Sequence, residues 1–318
     1  MATGAAGEQG AEVRVEVEGR VLRLTNLGKV LYPTTGTTKG EVLDYYARIA
    51  PVLLPQLRDR AVTRVRWPHG VGGSSFFEKN APGGTPAWVR TAEVSTTGSR
   101  RWGDTGEETG PGVLRFPVVD DLATLTWVVN LAALELHVHQ WRVGRTGRAR
   151  RPDRIVIDLD PGEPAGLHEC CTVALLARDA LAERGLTCTP VTSGSKGLHL
   201  YASLDRLPRG EAPVDSDEAS ALAKAVAEEL QAAHPTLVTA SMTKQRRGGK
   251  VFIDWSQNAG AKTTVAPYSL RGKDRPYVAA PLTWAEVEAG ADDPLDIDQL
   301  TYDEVLARVD ADGDLFDA

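Results

Sequence analysis

The stretch Arg154-Ile155-Val156-Ile157-Asp158-Leu159-Asp160-Pro161-Gly162 decides how the rest of the 318-residue chain is read. It reads as a buried strand that ends in two acids and a turn. Side chains alternate along a strand, so Ile155, Ile157 and Leu159 point to one face and Val156, Asp158 and Asp160 to the other. Pro161-Gly162 stops the strand right after the second acid. Two carboxylates one pleat apart repel each other, and a divalent cation between them is the usual remedy. Taken alone, Asp-x-Asp is a weak signal, and a strand tip carrying two solvated acids is the plainer explanation. The surrounding stretches reverse that balance.

Downstream, residues 167–184 carry a helical pattern closed by Gly185, and residues 188–192 a strand. Ser193-Gly194-Ser195-Lys196-Gly197 is a tight turn before a returning strand at 198–204. Turns of this composition leave backbone N–H groups free for an anion, and Lys196 adds a positive charge. The spacing of a Walker loop is absent, and for an isolated segment an ordinary Gly/Ser hairpin turn is the commoner case. His199 shares a face with Tyr201 just past the turn. Asp254 lies between Ile253 and Trp255 on a second apolar strand. Three acids around one cleft can bind two divalent ions; the alternative is that Asp254 ends its strand in water.

Upstream, residues 13–24 alternate apolar and charged as in a hairpin. Thr38 and Glu41 form a capping box that opens a helix to about residue 49. A short strand is expected at 63–67. The Gly-rich stretch 69–86 carries Phe76-Phe77-Glu78-Lys79-Asn80, whose aromatics stack nucleobases or anchor their own loop. Asp120 or Asp121 caps an apolar helix to about Leu134, and a strand with His137 and His139 on one face follows. The connector 142–154 and the loop Lys244-Gln245-Arg246-Arg247-Gly248-Gly249-Lys250 are basic. Such runs can track a phosphate backbone, although most are solvated faces. Residues 216–233 read as a helix, and Thr283 and Thr301, with Glu286 and Glu304, open two more. No solenoid-period repeat is present. The order predicts an α+β fold: two packed α/β halves around a central cleft, with mixed or antiparallel sheet. Residues 1–12 are expected to be disordered, and 13–318 to form a single catalytic domain of two interlocked halves.

At 42% hydrophobic content the chain can bury a sizeable core. No apolar run reaches membrane-spanning length and no secretory core opens the chain, so a soluble cytoplasmic protein without a membrane partner is expected. Cys170, Cys171 and Cys188 are odd in number and lack Cys-x-x-Cys spacing, which argues for reduced thiols rather than a disulfide framework or zinc knuckle. The net charge is −7, but residues 281–318 hold twelve acids and one base, so residues 1–280 stand at +4. A mildly basic body is compatible with a nucleic-acid partner.

Assembled, these stretches resemble the archaeo-eukaryotic primase superfamily, and in detail the polymerase domain of bacterial ligase D and its stand-alone primase-polymerase relatives. The resemblance runs from about Leu24 to the helix after Thr283. It is carried by Ile157-Asp158-Leu159-Asp160-Pro161, by Thr192-Ser193-Gly194-Ser195-Lys196-Gly197-Leu198-His199, by Phe252-Ile253-Asp254-Trp255-Ser256-Gln257-Asn258, and by Ala261-Lys262-Thr263-Thr264-Val265-Ala266-Pro267-Tyr268-Ser269-Leu270-Arg271-Gly272. It implies that Asp158, Asp160 and Asp254 hold two divalent ions, Mn2+ or Mg2+. His137, Ser193, Lys196, His199 and Arg271 would contact the incoming NTP or dNTP, with ribonucleotides preferred. Asn26, Lys29 and Lys39 would grip the 5′-phosphate beyond a break, Phe76 or Phe77 would stack on the template, and the loop with Arg246 and Arg247 would help place primer and nucleotide. The implied activity is template-dependent extension of a primer 3′-hydroxyl at gapped or broken DNA in end-joining repair, with Ku and a DNA ligase as partners. Ligase and phosphoesterase modules, fused to this domain in ligase D, are not found in the sequence; a stand-alone member and an excised domain are both compatible with it. The residues alone also allow a metal-dependent nuclease using the same acids, an Asp-x-Asp phosphotransferase, or a non-catalytic module that binds DNA ends.

Overall fold

The computed structural model describes residues 12–96, 99–100, 108–109, 112–208 and 210–316. Of the stretch 1–12 expected to be disordered, residues 1–11 lie outside these. At the centre is a five-stranded sheet in the order Cys188–Thr192, Leu198–Ser203, Arg154–Pro161, Val251–Ile253, Val238–Thr239. Its pairs are antiparallel except the last, which is parallel. Both faces of Arg154–Pro161 are covered, and its side chains divide as the alternation requires. Ile155, Ile157 and Leu159 enter one core with the helices Leu167–Ala182 and Ser216–Ala233, while Val156 joins Tyr201 in another. Burying each such aliphatic side chain contributes roughly 1.5–3 kcal/mol.

The second core belongs to the other half. There the helices Lys39–Leu57 and Leu122–Asn130 pack on a four-stranded sheet ordered Thr264–Val265, Ala133–Val138, Val62–Arg66, Phe76–Glu78. Segments from late in the chain complete both halves: the helix Trp284–Asp292 lies against Leu167–Ala182, and Tyr302–Asp312 against Lys39–Leu57. The result is a mixed α/β fold with sheets and helices packed around a cleft, as expected.

The expected caps form. Thr38 and Glu41, Thr283 and Glu286, and Thr301 and Glu304 make reciprocal capping boxes. Asp121 accepts from the Thr124 amide. Three boundaries differ from expectation. The first long helix continues past residue 49 to Leu57 despite Pro51 and Pro55. Its buried face, with Ile49, Leu53 and Leu57, outweighs the hydrogen bonds those prolines remove. The helix after Asp121 stops at Asn130, because Ala132 takes φ 61° to turn the chain into the strand at Ala133. The strand Val251–Ile253 stops one residue short of Asp254, which caps the single turn Trp255–Asn258 instead of lying in the sheet.

Candidate active site

Pairing brings the acids together. Leu159 is opposite Ile253 and Asp160 opposite Phe252. One residue further on, the Asp254 amide donates to the Asp158 carbonyl at 2.8 Å. Beyond that point the partner strand has turned away, and Asn258 takes its place. Its side-chain oxygen accepts from the Val156 amide and its NH2 donates to the Val156 carbonyl, both at 2.8 Å. A side-chain amide thus completes the ladder two residues before Asp158.

Asp158 is buried and lies 3.3 Å from His199 Nε2. Asp160 is open to the cleft, yet the protein around it strips away part of its hydration. That desolvation, followed by the charges of Asp158 and, more weakly, Asp254, pushes its carboxyl up to about 6. Asp254 is not free: its carboxylate accepts from the Ser256 amide at 3.1 Å, Ser256 Oγ at 2.6 Å and Gln257 Nε2 at 2.9 Å. Among the described residues no group of three or more His, Cys, Asp or Glu side chains is drawn into a metal-binding cluster.

The turn after Cys188–Thr192 closes over the acid strand. Ser193 Oγ accepts from the Ser195 and Gly197 amides, at 3.2 and 3.1 Å. Gly197 lies so close to the strand that a Cβ there would sit 1.9 Å from the Leu159 oxygen, and Gly194 takes φ 63°. Lys196 is exposed and pairs with Glu163 at 2.9 Å. The Arg271 guanidinium donates to the Ser193 carbonyl, and its Nε to Glu135 Oε1 at 3.2 Å. Glu135 Oε2 meets His137 Nε2 at 2.6 Å. Despite strong burial, Arg271 and His137 hold the Glu135 carboxyl well below the usual carboxylate range. His137, Asp158, Asp160, Ser193, Lys196, His199, Arg247 and Arg271 line one cavity of about 400 Å³.

The remaining expected residues lie around this cavity or away from it. Phe77 presents its ring edge-on to His137, with centroids 6.1 Å apart, while Phe76 is 47% exposed. Arg246 is exposed on a short turn, and Arg247 lies over the Phe252 ring at 3.5 Å. Asn26 and Lys29 are exposed in a turn closed by the Lys29 amide on the Asn26 carbonyl. Lys39, expected in the 5′-phosphate pocket with Asn26 and Lys29, is placed differently from them. It is buried, donating to the Thr25 carbonyl at 2.7 Å and Asn130 Oδ1 at 2.8 Å. Burial, then Lys29 and Arg66, pull its amine down to about 8. Sequence reasoning passed over Glu135, Asn258 and the Gln257 contact. Glu135 could have been found, since it shares a strand face with His137.

A family profile described as the primase-polymerase domain of LigD matches residues 38–316. The chain belongs to this family. It is 48% identical over 299 residues to the multifunctional non-homologous end joining DNA repair protein LigD of Mycobacterium tuberculosis, covering 92% of this chain and 36% of that protein. To the bifunctional non-homologous end joining protein LigD of Bacillus subtilis it is 33% identical over 292 residues, covering 92% of this chain and 43% of that one. The chain therefore spans well under half the length of these LigD relatives. Among solved structures, the polymerase domain of Mycobacterium tuberculosis ligase D in complex with DNA superposes with a TM-score of 0.82 at 48% identity, covering 92% of this chain and 96% of that one. The same fold around the same kind of cleft thus occurs in a LigD polymerase domain bound to DNA.

Proposed function

We propose that the cleft is the active site of a template-dependent primase-polymerase, a nucleotidyltransferase that extends a primer 3′-hydroxyl at gapped or broken DNA during end joining. One observation carries this reading: the acid pair Asp158 and Asp160 faces the Ser193–Gly197 turn and Arg271 across a single cavity. That pairing of anionic and cationic walls suits a triphosphate whose α-phosphate must approach the acids while its outer phosphates rest on the turn. Family membership and the likeness to a DNA-bound relative support it.

The donor set suits hard divalent cations. Asp158 and Asp160 offer carboxylate oxygens, and the carboxyl of Asp160 is raised first by desolvation and then by the charge of Asp158, with His199 and Arg247 opposing. Asp254 would join them once its carboxylate exchanges the Ser256 and Gln257 contacts for a cation. Manganese or magnesium held there would supply positive charge to acidify the primer hydroxyl and offset the charge of the departing pyrophosphate. The chain's own residues do the positioning. Ser193, Lys196 and Arg271 bind the triphosphate, His137 and His199 border the nucleotide, and Phe76 or Phe77 stacks on the template. Arg246 and Arg247 steady the primer end, and Asn26 and Lys29 meet the downstream 5′-phosphate. We take residues 13–318 as one catalytic unit that prefers ribonucleotides and works beside Ku and a DNA ligase.

Replacing both Asp158 and Asp160 by Ala should abolish primer extension on gapped DNA with NTP and Mn2+, while sparing binding to 5′-phosphorylated gapped DNA. Extension at the wild-type rate would refute the assignment, and primers that shorten instead of lengthening would make the protein a nuclease.

A further inference from the structure

Glu135 plays no part in the reading above, yet its two oxygens join His137 to Arg271 across the cleft. It lies two residues before His137 on Ala133–Val138, so both side chains leave the same face. It is 6% exposed. Oε2 meets His137 Nε2 at 2.6 Å, and Oε1 accepts from Arg271 Nε at 3.2 Å and the Gly272 amide at 2.9 Å. Arg271 in turn donates to the Ser193 carbonyl. The chain of contacts His137, Glu135, Arg271, Ser193 therefore crosses from the four-stranded sheet to the turn on the five-stranded one. Gly272, whose amide Glu135 accepts from, is itself packed on Trp67, where a Cβ would lie 2.2 Å from the ring.

We propose that Glu135 is the positioning residue that sets His137 and Arg271 in register for the incoming nucleoside triphosphate. An ionised carboxylate only accepts, so the Nε2 facing it carries a proton. Nδ1 is then the ring nitrogen left for a ligand. Arg271 spends Nε on Glu135 and one terminal nitrogen on Ser193, which fixes the guanidinium plane and leaves the other terminal nitrogen for a phosphate oxygen. Without the carboxylate both side chains would have to be ordered by the nucleotide itself, and affinity would fall. This rests on the polymerase reading, in which both residues touch the nucleotide. A carboxylate that merely balanced charge in the core would instead affect every property in proportion to stability.

Glu135→Gln keeps the size but offers one acceptor oxygen in place of two. In single-nucleotide gap filling, KM for NTP should rise on the order of 10- to 100-fold, the value of a lost charge-assisted hydrogen bond. The turnover number should stay within about threefold and the affinity for 5′-phosphorylated gapped DNA should not move, since both depend on other side chains. Adding Glu135→Gln to Arg271→Ala should cost little beyond Arg271→Ala alone. In 15N spectra of the ligand-free protein, the His137 Nε2–H signal should change in Glu135→Gln. An unchanged KM, fully multiplicative effects, or a rise in KM matched by losses of turnover and DNA affinity in step with melting temperature would overturn the proposal. So would an unaltered His137 signal. A wild-type protein that extends no primer would instead sink the polymerase reading, and the spectroscopic arm, which needs no substrate, would still decide whether Glu135 holds His137.

Discussion

Lys39 should behave as a strut and not as a phosphate ligand. Its ammonium is buried against the Thr25 carbonyl and Asn130 Oδ1, and so ties the turn after the N-terminal hairpin to the end of the helix Leu122–Asn130. Hydrogen bonds from a charged donor contribute about 1.5–3 kcal/mol each, and desolvation of the ammonium opposes them. Lys39→Met should therefore destabilise the protein by a net amount on the order of 1–3 kcal/mol, seen as a melting temperature lower by a few degrees. The pH dependence has a definite sign. The folded-state value of about 8 lies below the ordinary 10.5, so folding is penalised while the amine is charged in both states, below pH 8. As pH rises from 8 towards 10.5 the folded protein releases the proton first, and stability rises relative to Lys39→Met. Differential scanning fluorimetry of the two proteins side by side cancels the other titrating groups. Lys29, exposed in the neighbouring turn, provides the contrast: Lys29→Met should weaken binding to 5′-phosphorylated gapped DNA and leave the melting temperature alone. A Lys39→Met protein with unchanged melting behaviour and lost discrimination for the 5′-phosphate would refute the reasoning.

Two further outcomes follow from the cleft. Gly197→Ala would press a methyl group onto the Leu159 carbonyl at 1.9 Å, so nucleotide binding and thermal stability should fall together, measurable by calorimetric titration with NTP and by melting. Asp160, held up to about 6, becomes fully charged only above that pH, so Mn2+ affinity measured by electron paramagnetic resonance should drop as pH is lowered through 6. For the metal-free protein the sign is the reverse of the usual carboxylate: as pH rises from about 4 to 6, stability should decline relative to Asp160→Asn.

Much of the architecture was legible because it rests on local chemistry. The alternation in residues 155–160 was enough to sort side chains onto two faces, and Thr38, Thr283 and Thr301 announced their helices through the Glu three residues on. What escaped depended on contacts remote in sequence. The end of the helix after Asp121 was misplaced because its apolar pattern runs on into the strand at Ala133, and only the turn at Ala132 separates them. The end expected near residue 49 was overridden by core packing that carries the helix through Pro51 and Pro55 to Leu57. In the site, Asp158, Asp160 and the Ser193–Gly197 turn stood out because strand and turn punctuation isolates them. The burial of Lys39 was invisible, since nothing near it in sequence shows that Asn130 closes over it. Glu135 was half legible, since it shares a strand face with His137, but its second partner, Arg271, lies 136 positions away.

The amide of Asn258 has a consequence for how function would be mapped. A slip of the acid strand by one residue would send Asp158 and Asp160 into hydrocarbon and bring Ile157 and Leu159 out to the substrate. Asn258 opposes that slip by gripping both polar groups of Val156 on the edge that the strand Val251–Ile253 no longer covers. A mutational screen scored on lost primer extension would thus rank this neutral amide beside the aspartates, although its side chain is buried against Val156 and Trp255. Its true signature is mechanical: it sets the zero from which the positions of the acids are counted.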